Sequence, residues 1–569
     1  MSPMQAGKVW TGFTGLKMLY DVIVVGSGIS GLFSALYAKR AGFNVAILSK
    51  SNPFRSNSAV ASGGINAVIN LESYDSIQGH IDDTIEGSDG LSHEYNVKKM
   101  CEEAPEIIEE LRQMGVGFDE DGEGNIQQRP FGGTKAERTC YIADRTGASI
   151  VQTLLVQCRN EGVHILANHK FLNITQYKGR LSGVTVLRRH NSQVIAFACK
   201  SLVLAGGGFA GIFRGHSTNS QESSGDVIAA ALRAKMRLSN MEFVQFHPTT
   251  LAHNGALVSE AARGEGAYLV DENGTRFTQE LLTRDKLSRA ILEHIKEGHK
   301  VYLDLRHLGE EFIDKKLPST RKTALSAAGV DITKELLQIE PSAHYTIGGI
   351  WTREDTSTDM PGVFACGECA VTGVHGANRL GGNSLLEGAY FGRLAGREAA
   401  RTASKKEFQP IDYAYVEKEW RRVEVTLEGE SKFNINALRK NLGENLFKNA
   451  GVFRNKDSLS QALDYIHYLM GLQYGLHCVN KELNNNVELA SIIEFKNALL
   501  IAEAMCVSAL ERRESRGVHY RDDYPDKCNG YFNAASSVRQ LGPELLEVSF
   551  SNAIGNNVWY KIKKMLHLG

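Results

Sequence analysis

"YDVIVVGSGISGLFSALYAKRAGFNVAILSKS" (Tyr20–Ser51) is the stretch that decides the fold. A short apolar run, Val22–Val25, leads into Gly26, Gly28 and Gly31, which satisfy G-x-G-x-x-G. An Ala/Leu-rich helical segment follows, and a second apolar strand, Val45–Leu48, closes a βαβ unit. In that setting the first glycine makes the tight turn. The second lets backbone reach a pyrophosphate, and the third permits close helix–sheet packing. The helix N-terminus then faces the phosphates. The second strand ends in Ser49-Lys50, where a generic dinucleotide site carries an acid for the ribose. Two more strand–glycine turns occur downstream, "SLVLAGGGFAGIF" (201–213) and "PGVFACGECA" (361–370). The second ends in Gly367-Glu368, and Glu368 is the expected replacement for the missing ribose carboxylate. Three such turns converging on one ligand point to FAD, which is longer than one loop can hold.

Composition narrows the class. The chain has 569 residues, 42% hydrophobic and 23% charged, with a formal net charge of −1. That length allows several domains, and the charge balance gives no footprint for nucleic acid or a polybasic membrane arm. Glycine is abundant, 56 against 11 prolines, and falls in short clusters suited to close ligand approach. No apolar run nears the ~20 residues needed to span a bilayer. The opening 17 residues lack a signal-peptide core and read as a disordered leader, with Met18 as an alternative start. Nine scattered cysteines suit a reducing compartment, so the cytoplasm is the expected location. Cys366 and Cys369 form one CxxC, with no second pair for a zinc site; no metal is expected.

Several stretches together resemble one family. They include "SGGINAV" (62–68), "MEFVQFHPTTL" (241–251), "SEAARGEGAYLV" (259–270) and "TRDKLSRA" (283–290). "SAHYTIGGI" (342–350), "HGANRLGGNSL" (375–385) and "RRESRGVH" (512–519) continue the series in the same order. The chain resembles the flavoprotein subunit of succinate dehydrogenase and fumarate reductase, a family that also contains L-aspartate oxidase. The resemblance implies an α/β fold: an FAD-binding Rossmann-like domain (18–240 and 342–404) interrupted by an α+β capping domain (241–341). A helical domain (405–525) and a short C-terminal tail (526–569) would follow. Leu459, Leu463, Ile466 and Met470 recur at helical spacing, and "NVELASIIEFKNALLIAEAMCVSALERRES" reads as another long helix; both are expected to pack as core.

The resemblance also assigns a site. A C4 dicarboxylate needs fixed donors at both carboxylates, with hydride moving between flavin N5 and one substrate carbon and a proton moving at its neighbour. His247, Ser259, His344 and Arg379 match the carboxylate ligands, Arg284 the proton donor, and Glu260 with Arg263 the relay to solvent. A guanidinium is an awkward acid, workable only because the acceptor is a developing carbanion. Cofactor contacts are expected from Gly26, Ser27, Gly28 and Gly31, from Ser49, Lys50, Ser56 and Asn57, and from Gly63, Gly64, Gly206 and Gly207. Asp226, Glu368, Asn383, Ser384 and Leu385 complete that set.

Two departures bear on the subtype. Many members attach flavin covalently through a histidine before the Gly-Gly turn; in "FRSNSAVASGGINAV" (54–68) that position is Asn57, which implies non-covalent FAD and a lean toward fumarate reduction. Aspartate oxidases carry a glutamate before the Gly-Gly of "QQRPFGGTKAERT" (127–139), where this chain has Phe131. An apolar ring there leaves a substrate ammonium unpaired, at roughly 1–3 kcal/mol. L-Aspartate oxidase is therefore the alternative reading, and a catalytically silent FAD-binding interaction protein a third. The family's chemistry implies an iron–sulfur partner subunit and, through it, a membrane anchor and the quinone pool, with this chain peripheral on the inner face of the membrane. The charge-dense "ERRESRGVHYRDDYP" (511–525) reads either as a domain or subunit contact or as a solvated helix end.

Overall fold

A computed structural model describes residues 18–69, 75–542, 545–550 and 558–561. The leader expected at residues 1–17 lies outside them, as does part of the C-terminal tail. The dinucleotide sheet has seven strands, ordered His164–Leu166, Val45–Leu48, Leu19–Val25, Gln193–Leu204, Arg180–Arg188 and His169–Tyr177, with Val363–Ala365 also pairing to Gln193–Leu204. The pairs that involve Leu19–Val25 and Val45–Leu48 are parallel, in the register Val22↔Val45 to Val25↔Leu48. These strands are buried on both faces, which is why they read as continuous apolar runs.

Helix Ile29–Arg40 packs against the long helix Asn383–Ala403 through glycines. Gly388 and Gly392 are four residues apart; a Cβ at Gly388 would lie 2.6 Å from Ile29 Cγ2, and one at Gly392 would lie 2.7 Å from the Ser30 carbonyl oxygen. Only bare backbone lets the two helices approach this closely. The contact seats the first half of helix Asn383–Ala403 on the helix that follows the nucleotide loop, despite more than three hundred intervening residues.

The cap is an antiparallel four-stranded sheet, ordered Val244–Leu251, Leu337–Thr346, Val301–Asp304 and Tyr268–Asp271. Helix Arg284–Lys296 packs on its first strand and buries Leu287 and Ile291. The helical region comprises Tyr413–Glu428, Ile435–Ala450, Lys456–Leu472 and Val487–Glu511. Leu459, Leu463 and Ile466 are buried and Met470 half-buried, as their spacing predicts. Val487–Glu511 is apolar around most of its circumference and runs through the core, as such helices do.

The charged stretch after this helix is not a solvated helix end. Arg512 and Glu514 are fully buried, and Arg512 Nε donates to Glu242 Oε1 at 2.6 Å. Arg512 also donates to Glu514 and to the carbonyls of Phe532 and Ala534, while Ser536 Oγ donates to Glu242 Oε2 at 2.6 Å. The stretch joins the root of the cap to the C-terminal segment. That segment is itself woven in: Ser536–Gly542 pairs with Leu238–Ser239 and Leu545–Phe550 in a six-stranded sheet.

Candidate active site

An open cleft runs from the nucleotide loop toward the cap. Its walls carry Gly26, Ser27 and Gly28 of the first loop, and Ser49 and Lys50 at the end of the second strand. Ser56 and Asn57, Gly206 and Gly207, Asp226, Glu368, Ser384 and Leu385 line it further along. Gly26 has φ +116°, and a side chain there would overlap the Ala205 carbonyl. Thirteen predicted cofactor residues thus face one continuous cleft, which fits an extended dinucleotide.

Four others do not line it. Gly31 packs against the Gly26 carbonyl, the helix–sheet role expected of the third glycine. Gly63 lies under the Phe131 ring and Gly64 against Thr139 and Cys140. Asn383 turns away: its Oδ1 accepts from Asn66 Nδ2 at 2.9 Å and lies 3.0 Å from His80 Nε2, while its Nδ2 donates to Thr84. It braces the glycine turn from behind.

The proposed ribose role of Glu368 is also corrected. Two strands, Leu19–Val25 and Gln193–Leu204, separate the strand preceding Glu368 from Val45–Leu48, which at ~4.8 Å per strand places it roughly 14 Å away. At the end of the second strand stands a different carboxylate, Asp226, whose Oδ2 meets Lys50 Nζ at 2.9 Å and Lys170 Nζ at 2.5 Å. Glu368 accepts from Thr346 N at 3.0 Å, and burial pushes its carboxyl up to about 7. Asn57 Nδ2 donates to Asn219 Oδ1 and Ser223 Oγ, and its Oδ1 accepts from Ser220 N. The amide is fully engaged by the neighbouring loop.

The predicted substrate residues gather where the cap meets this cleft. Gln245 and His247 share one face of the strand Val244–Leu251. Arg284, the first residue of its helix, donates from Nε to Glu260 Oε2 at 2.9 Å, from Nη2 to the same oxygen, and from Nη1 to Gln245 Oε1 at 3.1 Å. Gln245 Nε2 in turn donates to the Arg379 carbonyl at 2.8 Å, so one amide ties the two arginines together. Glu260 Oε1 accepts from Gly132 N at 3.1 Å and faces Arg263 Nη2 at 3.4 Å. Burial raises the Glu260 carboxyl, but Arg284 and Arg263 outweigh it and hold it at about 2. Arg284–Glu260–Arg263 is therefore a continuous charged chain.

The His247 and His344 rings meet edge to face at 4.9 Å. Burial, then the charge of Arg284, pushes both well below the ordinary histidine value, so both are neutral at pH 7. Thr218 Oγ1 lies 2.7 Å from His344 Nδ1; a hydroxyl donating there leaves the ring proton on Nε2 as a donor. Ser259 Oγ caps the helix Glu260–Gly264 by accepting from Ala261 N at 3.2 Å, which leaves its own proton free. Phe131 is buried between Gly63 and Gly381, beside Glu260. Burial, then Arg284, pushes the Arg379 guanidinium down to about 9. Its Nε and Nη2 are buried without a hydrogen-bond partner, so the pocket holds unmatched positive charge suited to an anion.

Gln245 and Thr218 belong to the site although the sequence does not single them out. Gln245 lies in the segment 241–251 and shares the strand period with His247; Thr218 carries no local signal. Burial pushes the Cys366 thiol up to about 12 and raises Cys369 as well, so both stay protonated thiols. Among the described residues one cluster of potential metal ligands, Asp271, His294 and His299, lies in the cap. Its two imidazoles stack at 4.2 Å and 13°, so their lone pairs lie in nearly parallel planes. No helix among the described residues is long and apolar enough to cross a membrane.

Comparison with known proteins agrees with this geometry. Residues 21–385 match the FAD binding domain family, and residues 439–563 match the fumarate reductase flavoprotein C-terminal family. The succinate dehydrogenase flavoprotein subunit of Rickettsia felis is 36% identical over 93% of this chain and 94% of its own length. The 8-methylmenaquinol:fumarate reductase flavoprotein subunit of Wolinella succinogenes is 36% identical over 91% of this chain and 88% of its own. A solved quinol–fumarate reductase chain superposes with a TM-score of 0.89 at 31% identity, covering 94% of this chain and 98% of that one. With both halves matched and the coverage nearly complete, the chain belongs to the succinate dehydrogenase/fumarate reductase flavoprotein family of FAD-dependent oxidoreductases.

Proposed function

We propose that this chain interconverts fumarate and succinate as the flavoprotein subunit of a larger complex, with fumarate reduction the favoured direction. The observation that carries the reading is the pairing of an uncompensated Arg379 with an Arg284–Glu260–Arg263 chain in one buried pocket beside the dinucleotide cleft. FAD held in that cleft, once reduced, would supply the hydride. Arg379, His247, His344 and Ser259 would hold the two substrate carboxylates. Arg284 would deliver the proton to the second alkene carbon, and Glu260 with Arg263 would return one from solvent. A guanidinium can act as the acid because the acceptor carbon is far more basic than any side chain.

Asn57 supports non-covalent flavin, since a hydrogen-bonded carboxamide has no nucleophilic nitrogen to offer the cofactor. Loss of that bond lowers the flavin potential and favours the reductive direction. Acid precipitation is expected to leave a colourless pellet and a yellow supernatant; a yellow pellet would show a covalent link elsewhere.

A flavin exchanges two electrons at once with the substrate as hydride but can pass them on singly, and quinone chains are usually entered through single-electron carriers. Eight of the nine cysteines here are buried, separate thiols. The reading therefore includes an iron–sulfur partner subunit, a membrane anchor beyond it, and a peripheral position on the cytoplasmic face.

Phe131 favours this substrate class over amino dicarboxylates, because a buried ring would leave an ammonium without a partner. Anaerobic flavin spectra of the purified holoprotein test the choice. No bleaching by L-aspartate, with reoxidation by fumarate after dithionite reduction, is the expected result. Bleaching by L-aspartate would make the protein an aspartate oxidase and overturn the weight given to Phe131.

A further inference from the structure

The two site arginines are held in opposite ways. Arg284 is ion-paired directly and spends its N–H groups on Glu260 and Gln245. Arg379 has no ion pair among the described residues; its guanidinium carbon lies 4.3 Å over the Tyr345 ring. The Tyr345 hydroxyl donates to Glu387 Oε2 at 2.7 Å. Glu387 is 1% exposed, and its other oxygen accepts from Thr372 Oγ1 at 2.8 Å. His375 Nε2 lies 3.1 Å from Glu387 Oε2, and His375 Nδ1 is buried without a partner, which places the ring proton on Nε2 as a third donor.

Resting on the function proposed above, we infer that Tyr345 and Glu387 supply Arg379 with an indirect counter-charge, Tyr345 as its platform and Glu387 as a positioning residue, so that the arginine is held while its donors stay free for a dicarboxylate. A carboxylate placed directly on Arg379 would engage the guanidinium fork in two parallel bonds, the same ones a substrate needs. A phenol donating to a buried carboxylate carries extra electron density in its ring, and that density attracts a cation above it. Negative charge thereby reaches Arg379 through the ring face and leaves Nε and Nη2 unspent. The construction is compact: His375, Arg379 and Glu387 lie within thirteen residues, and Tyr345 comes from the end of the cap strand Leu337–Thr346.

The test is a titration of the oxidised holoprotein with malonate, which binds as a dicarboxylate but has no alkene to reduce, read by the flavin difference spectrum. Steady-state kinetics with fumarate run alongside. Tyr345→Leu is expected to weaken malonate about 30-fold, the scale of a desolvated cation–π contact. Tyr345→Phe and Glu387→Gln, which keep shape but break the hydroxyl link or remove the charge, are expected to weaken it about 3–10-fold. KM for fumarate should rise in parallel while kcat changes by less than about 3-fold, as for an interaction shared by ground and transition states. Malonate affinity unchanged in Tyr345→Leu and Glu387→Gln, with flavin retained, overturns the inference, and so does a fall in kcat at constant KM. If the wild-type protein binds no malonate, the reading of the site itself fails, and that result is separable from the other two.

Discussion

Arg284→Ala is expected to lower fumarate turnover roughly 10³- to 10⁴-fold while FAD stays bound. The side chain sits at the N-terminus of the helix Arg284–Lys296, buried, with two N–H groups on Glu260 and one on Gln245. Its removal deletes the proposed proton donor and leaves Glu260 with Arg263 as its remaining cation. The cofactor cleft is walled by other residues, so flavin content should match wild type.

Arg284→Lys should rescue little. A lysine ammonium is a point charge and cannot bridge Glu260 and Gln245 as the planar fork does. The variant also has a pH signature. In the wild type, Glu260 is held at about 2 against an ordinary 4.5, so its contribution to stability is present above pH 4.5 and lost as pH falls toward 2. Without Arg284 the carboxyl is depressed less, so this contribution shrinks and is lost at higher pH on acidification. Turnover assays driven by a chemical reductant, with flavin quantified after acid release, decide the matter; a wild-type rate would remove Arg284 from the proton path.

The second large effect is on the fold. Glu242→Ala is expected to cost about 3–5 kcal/mol, the scale for removing one member of a buried ion pair. Glu242 and Arg512 are both fully buried, and Arg512 is enclosed by the Phe243 and Phe550 rings at 4.9 and 5.0 Å. Without Glu242, the guanidinium keeps Glu514 and two carbonyls, but Ser536 Oγ loses its acceptor. Hydrogen exchange should rise first in Ser536–Gly542, which is pinned to Leu238–Ser239 through that serine. A double variant, Glu242→Leu with Arg512→Met, should be more stable than either single change, because no unpaired charge remains. A single variant with wild-type melting behaviour would show that the network carries little of the stability.

Much of the molecule was legible because its signals are local. The glycine loop, the two strands around it and the apolar stripe at Leu459, Leu463 and Ile466 depend on backbone geometry and side-chain period, which neighbouring residues set. Glu368 was misplaced for the opposite reason: that it follows a strand is local, but where the strand stands in the sheet is not. The charges of 511–525 left two readings open, because a charged run reads as solvated until its partners are known, and Glu242 is some 270 residues away.

By itself, the sequence determined the dinucleotide loop, the residue types of the site and the order of the motifs that carry them. It also determined the absence of a flavin-linking histidine at position 57. Tertiary structure alone decided how those residues are paired. Glycines 388 and 392 let helix Asn383–Ala403 pack on the helix after the nucleotide loop, and Gln245 joins Arg379 to Arg284. Folding also gives Arg284 a carboxylate and Arg379 only a ring. An arginine's chemistry depends on which of its donors are spent, and for Arg284 that is settled by groups 24 and 39 residues away, which only folding brings into hydrogen-bond contact.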